Sequence, residues 1–334
     1  MIPGAALAQW LADRDAQRKS QERLDAAARK WSVAPLMTQL DREVVELEPR
    51  TPEALLAAAR RFMDRTTEID AMMAELIAAS REDPFFRPPF HPLVNEVHHS
   101  LLLYHHPELS ISLGVTGVDM LAAKKTGRTG PASINFNGYS TLLRFLKAGN
   151  ATMSFWEAPP IGDDFSAIEA GPCRLVGCRR IEDGEEIVVD GRHESFVIEH
   201  AESDILFFQA VARAGAAPVG VEYDSDTLRF IGASSTDEAS SRLQMMVSLL
   251  RALGREDAFA LFEEALASPH FFTRWHVMRE MLAMDADAAL PSLRRMAAGD
   301  PHPDIRAAAQ QTLAMFFDGD AAETASQGDV TCPA

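Results

Sequence analysis

Ile181–Gln209 reads IEDGEEIVVDGRHESFVIEHAESDILFFQ, and its punctuation decides the fold. Asp183-Gly184 makes a tight turn, Glu185–Val189 a short apolar strand, and Asp190-Gly191 a second turn. An alternating segment follows from Arg192, and then the strongly apolar run from Ile205. Asp-Gly pairs favour hairpins because both residues tolerate positive φ. Alternation with period two marks a half-buried strand. The same rhythm extends outward. HSLLLYH breaks at His106-Pro107 and resumes as LSISLGV, and YSTLLRFLK turns at Ala148-Gly149-Asn150 and returns as ATMSFWE. CRLVGCRRI, DILFFQAVAR and PVGVEYDSDTLRFIG complete the set. No helix-length periodic stretch separates these runs. Residues 90–235 are therefore expected to form an all-β sandwich or barrel, and a βαβ arrangement is disfavoured.

Both flanks change period. Residues 1–82 read as an N-terminal helical region. Leu7, Trp10 and Leu11 recur at helical spacing, and Thr51-Pro52-Glu53 supplies an N-cap, a first-turn proline and a first-turn acid for the Ala/Leu/Met pattern after it. That pattern stops at Asp83-Pro84, where four prolines in nine residues exclude a helix. After Thr236 the helical period returns over residues 236–317. Ser268-Pro269-His270 with Arg274 recurs as Asp300-Pro301-His302 with Arg306, and Val277 and Met281 recur as Ala309 and Leu313. Between the copies Leu290, Leu293 and Met296 share a helix face. This pattern resembles HEAT repeats over residues 268–317, with the arginines bracing turns and His270 and His302 capping helix starts. Residues 318–334 are polar and read as a disordered tail.

The bulk numbers narrow the function. A chain of 334 residues carries 32 Lys and Arg against 49 Asp and Glu, for a net charge of −17. Nucleic acid is not expected as a partner for such a surface, since phosphate binding needs concentrated basic residues. No apolar run approaches the roughly 20 residues of a membrane span. Cys173, Cys178 and Cys332 make no disulfide framework, so a reduced, cytoplasmic setting is expected. The basic segment Lys124-Lys125 and Gly127-Arg128-Thr129-Gly130-Pro131 lacks Walker spacing and reads as a flexible loop, either a lid or a contact loop.

The strand rhythm of the β region resembles a cupin, a jelly-roll barrel whose family motifs place metal-binding histidines after turn glycines. Setting the second motif on Gly184 puts Asp190 at its proline, Arg192 at its glycine and Ser195 at its histidine. Setting the first on Gly149 puts Phe155 and Glu157 at its two histidines, with Ile161 or Gly162 at its glutamate. A metal needs several imidazole or carboxylate donors converging at about 2 Å, and only Glu157 survives. The resemblance thus implies an α+β chain: a cupin-like jelly-roll barrel without its metal, flanked by N-terminal helices and C-terminal HEAT-like helices.

Phe155, Glu157, His193 and Ser195 are the expected ligand-binding residues, near a hollow end of the barrel. His193 and Ser195 share a face if Arg192–Ile198 is one strand. Glu157 with His193 has the composition of an acid–base pair, although a hydrogen-bonded barrel mouth accounts for the same residues. Other donors are His99, His105 and His200. On an unbroken strand His99 and His105 share a face but lie about 20 Å apart, so a metal would need His193 or His200 as well. Two functions follow. One is a metal-free protein that binds a small molecule or peptide in the barrel, with helical regions that engage a protein partner or a second copy. The other is an oxygenase or isomerase using iron, zinc or manganese on His99, His105, His193, His200 and Glu157.

Overall fold

A computed structural model describes residues 4–127, 132–167 and 169–317. The expected lid or contact loop at Arg128–Pro131, the polar tail and Cys332 lie outside the described residues. The chain divides into two compact units, Met1–Glu157 with Arg174–Ala216, and Ala158–Cys173 with Ala217–Ala334.

The first unit opens with helices α1 (Gly4–Ala12), α2 (Arg14–Ser32), α3 (Pro35–Glu46), α4 (Pro52–Met63) and α5 (Thr66–Glu82). The Thr51 hydroxyl accepts from the Ala54 amide at 3.3 Å, and Pro52 occupies the first turn of α4, as the sequence predicts. The long apolar pattern does not form one helix. It breaks at Asp64-Arg65, where Arg65 leaves helical geometry with ψ 54° and its Nε reaches Glu68 at 2.9 Å.

Ten strands follow: β1 (His91–Val94), β2 (His98–His106), β3 (Leu109–Thr116), β4 (Ser133–Phe136), β5 (Ser140–Lys147), β6 (Thr152–Glu157), β7 (Arg174–Arg180), β8 (Glu186–Asp190), β9 (Glu194–His200) and β10 (Ile205–Ala212). A helix, α6 (Val118–Thr126), stands between β3 and β4 where none was expected. It buries no side chain, so it carries no amphipathic signal for a sequence to display.

A six-stranded antiparallel sheet runs β1-β2-β3-β10-β5-β8, and a second sheet runs β7-β6-β9. Alternation gives the large sheet two different faces. On the outer face Leu109, Ile111, Leu142, Phe208 and Ala210 pack with Leu36 and Leu40 of α3, Leu55 and Phe62 of α4 and Met72 of α5. Each such fully buried Leu, Ile, Phe or Met side chain contributes about 1.5–3 kcal/mol. The inner face presents Leu143, Phe145, Ile187, Val189 and Phe207 to Met153, Phe155, Phe196 and Ile198 of the second sheet. Helices α3, α4 and α5 thus share a core with the strands.

The second unit holds a hairpin, β11 (Val219–Asp224) and β12 (Phe230–Ser235), and helices α7 (Glu238–Ala252), α8 (Phe259–Ala265), α9 (Phe271–Met284), α10 (Ala286–Gly299) and α11 (Pro303–Phe316). The expected boundary at 235/236 falls inside this unit, because the hairpin groups with the helices. Helix α9 serves two cores. Val277 and Met281 join Val247 and Phe262, while Met278 joins Leu293, Ile305 and Ala309. The arginines brace turns as expected: one Nη of Arg274 donates to the carbonyls of Ser268 and Pro269, and one Nη of Arg306 to those of Asp300 and Pro301. His270 and His302 occupy N-cap positions, but neither side chain makes a capping bond. Among the described residues no helix is long and apolar enough to cross a membrane.

Candidate functional site

The inner face of the large sheet changes character along its strands. In register, Phe145 of β5, Phe207 of β10 and Gly114 of β3 form one row. Leu143, Gln209 and Ser112 form the next, and Thr141, Val211 and Ser110 the one after. The aromatic row packs on the second sheet. The next two rows carry hydroxyls and an amide, followed at the lip by Tyr139 and Arg213, which continue the same phase.

Thr141 is 1% exposed and its hydroxyl has no hydrogen-bond partner. Ser110 and Ser112 are 8% and 7% exposed, and Gln209 stands opposite Ser112 on the same face. Arg213 lies over the Tyr139 ring, its guanidinium carbon 5.8 Å from the centroid, with one Nη shut from solvent and unpartnered. Such groups normally find partners. Together they form a polar strip beside an apolar core, able to bind several donors and acceptors of a small molecule.

His98 closes the other end of this face. Its ring stacks on Phe207 at 5.2 Å and its Nδ1 lies 3.4 Å from the Thr116 hydroxyl. Burial, helped by the neighbouring His99, holds its pKa below the usual imidazole value.

The expected site residues do not converge. Phe155 faces inward opposite Phe196, with the Arg179 guanidinium 5.1 Å from its ring centroid. Glu157 is ion-paired with Arg174. Ser195 stands opposite Trp156, on the other face of the second sheet from Phe155 and Glu157, and its hydroxyl donates to the Asn135 carbonyl at 2.5 Å. His193 precedes β9 in the turn, so it does not share a strand face with Ser195; its Nδ1 lies 3.6 Å from a carboxylate oxygen of Asp190. Arg192 holds that carboxylate through Nε at 2.8 Å and Nη2 at 2.6 Å, which keeps the Asp190 pKa low against the effect of burial.

The alternative metal donors are also scattered. The register of β2 shifts between Leu102 and Tyr104, leaving Leu103 as an extra residue. His99 therefore faces with Val115, and His105 with Ser110 on the opposite face, whereas an unbroken strand would put them together. His200 is exposed at the end of β9, opposite Thr152. Among the described residues no three His, Cys, Asp or Glu side chains are gathered to hold a metal ion. The strip was legible in part: in DILFFQAVAR, Phe207, Gln209, Val211 and Arg213 share a phase, and a charged residue in the inward phase is the signal.

The helical unit contains a cleft of about 760 Å³. Phe165, Phe230, Met245, Phe271, Phe272 and Trp275 supply apolar wall, and Ser248, His276, Arg279 and Asp304 supply polar groups. The Ser248 hydroxyl joins His276 at 2.9 Å and Glu280 at 3.0 Å, while the exposed Arg279 has no ion pair among the described residues. The size and mixed lining suit a ligand or a peptide side chain.

Residues 232–314 match the family model of HEAT repeats. The match begins well before Ser268, so α7 and α8 belong to the repetitive stretch that the sequence pattern alone placed between 268 and 317. No curated protein matches the chain. Among solved structures the chain is similar to cupin-family proteins. Ectoine synthase from P. lautus shares 10% identity over 36% of this chain and 67% of that one, with a TM-score of 0.23. An RmlC-like cupin from Shewanella frigidimarina shares 6% over 37% and 83%, also at 0.23. A sugar phosphate isomerase of the cupin superfamily from Silicibacter pomeroyi shares 10% over 42% and 78%, again at 0.23.

Proposed function

We propose that the protein is a binding protein. Its β unit holds a small molecule on the inner face of the large sheet, and its HEAT-type helices hold a protein partner, with a peptide segment in the cleft. One observation carries the first half: the Thr141 hydroxyl is buried on the inner face without a hydrogen-bond partner, in a strip that also holds Ser110, Ser112 and Gln209. An unmet buried polar group costs about 1–3 kcal/mol, and a ligand that meets the Thr141 hydroxyl removes that cost. The aromatic cleft and the repeat match support the second half.

Native mass spectrometry of protein purified without an affinity tag tests the first half. A retained small molecule, lost on Ser112→Leu, is expected. Stoichiometric iron, zinc or manganese, lost on His193→Ala, would replace this reading with a metal-dependent oxygenase or isomerase. For the second half, a photoreactive residue at Met245 should yield one discrete cross-linked protein that disappears in Trp275→Ala.

A further inference from the structure

We infer that Arg213 receives an anionic group, a carboxylate or a phosphate, of the molecule bound by the β unit; this rests on the small-molecule reading above. The backbone amide of Arg213 donates to the Glu108 carbonyl at 2.8 Å, extending β10 by one residue. Its phase is that of Phe207, Gln209 and Val211, so its side chain leaves the strand on the inner face. The Tyr139 ring beneath it fixes the guanidinium plane.

What the guanidinium lacks is a counter-charge. The chain has 49 acids against 32 Lys and Arg, yet those around this lip are committed elsewhere. The Glu108 carboxylate pairs with Arg50 at 3.1 Å and the Asp190 carboxylate with Arg192 at 2.6 Å. Arg144, on the outer face of the same sheet, has Asp64 at 2.7 Å and also Glu186. Arg213 alone in this group has no carboxylate, and one of its nitrogens is buried without any acceptor. Arginine cannot shed its proton, so burial is not relieved by neutralisation. An incoming oxyanion satisfies the planar fork through two parallel bonds. The unpartnered hydroxyl of Thr141, one position deeper on the adjacent strand, supplies a further donor of the right kind.

Thermal unfolding of the full chain, titrated with inorganic phosphate or with acetate against sodium chloride at equal ionic strength, tests this. A saturable rise in Tm with one of the two anions is expected. It should vanish in Arg213→Gln, shrink in Thr141→Val and persist in Arg14→Gln, a surface control. A response to phosphate alone assigns a phosphate, and one to acetate alone a carboxylate. No response, or equal responses in the natural chain and Arg213→Gln, overturns the inference. A molecule retained as firmly by Arg213→Gln as by the natural chain would also overturn it, while leaving the small-molecule reading intact.

Discussion

The imidazole of His98 occupies the space that a side chain on Gly114 would need. A Cβ built on Gly114 would lie 2.3 Å from Cε1 of His98 and 2.8 Å from the Ser100 Cβ. The two residues sit on neighbouring strands, and the absence of one side chain makes room for the other's ring against Phe207.

Gly114→Ala should therefore displace His98 from Phe207 and Thr116. Overpacking of this kind costs about 1–3 kcal/mol. Denaturant unfolding should show the loss, and a chain that also carries His98→Ala should recover only the part due to the ring, because the Ser100 Cβ still crowds the new methyl at 2.8 Å.

His98 also gives stability a pH dependence. Its folded pKa is depressed, so the unfolded chain takes up the proton first. The stabilisation is present above the unfolded value of about 6.5 and is lost as pH falls below it. Urea midpoints measured between about pH 7 and pH 5 should fall more steeply for the natural chain than for His98→Phe.

Arg274 and Asp300 form a bidentate pair at 2.7 and 2.8 Å with both side chains nearly buried. Burial raises the Asp300 pKa, but the bonds from Arg274 and the His302 amide outweigh it and hold the carboxyl below its ordinary range. Arg274→Ala leaves that carboxylate buried alone and should cost about 3–5 kcal/mol. Arg274→Lys should recover only part of this, because it lacks the fork. Asp300 contributes above its unfolded pKa and loses that contribution as pH falls through the folded one, so the deficit of Arg274→Ala should narrow in acid.

Glu186 ties α4 to the sheet edge by accepting from Arg60 at 2.9 Å and Arg144 at 2.6 Å. Glu186→Gln should cost about 1–3 kcal/mol, read by denaturant unfolding. Glu186→Leu should cost more, because it also removes the acceptor oxygen that glutamine keeps for Arg60 and Arg144.

The strands were legible because turn chemistry and alternation are local. Asp183-Gly184 and Asp190-Gly191 bound β8 as their sequence requires, and His106-Pro107 separates β2 from β3. The repeat arginines were legible because their neighbours recur. Features set by tertiary partners were not. Helix α6 buries nothing and so prints no period. Ser195 bonds to a carbonyl of β4, which no spacing along the chain announces. The placement of His105 depends on where β2 slips against β3, and neither strand's composition marks that point.

That slip has a genetic corollary. Removing the single codon for Leu103 would restore an uninterrupted ladder and leave Leu101, Leu102, Tyr104 and His105 on the faces they already hold, because Leu102 and Tyr104 pair with the adjacent residues Ser112 and Ile111. The hydrophobic seam beneath the helices and the hydroxylated strip would each keep its half of β2. The supernumerary amino acid is itself buried, at 4% exposure, so a deletion there should cost the packing of one leucine, about 2–5 kcal/mol, with no change of face elsewhere.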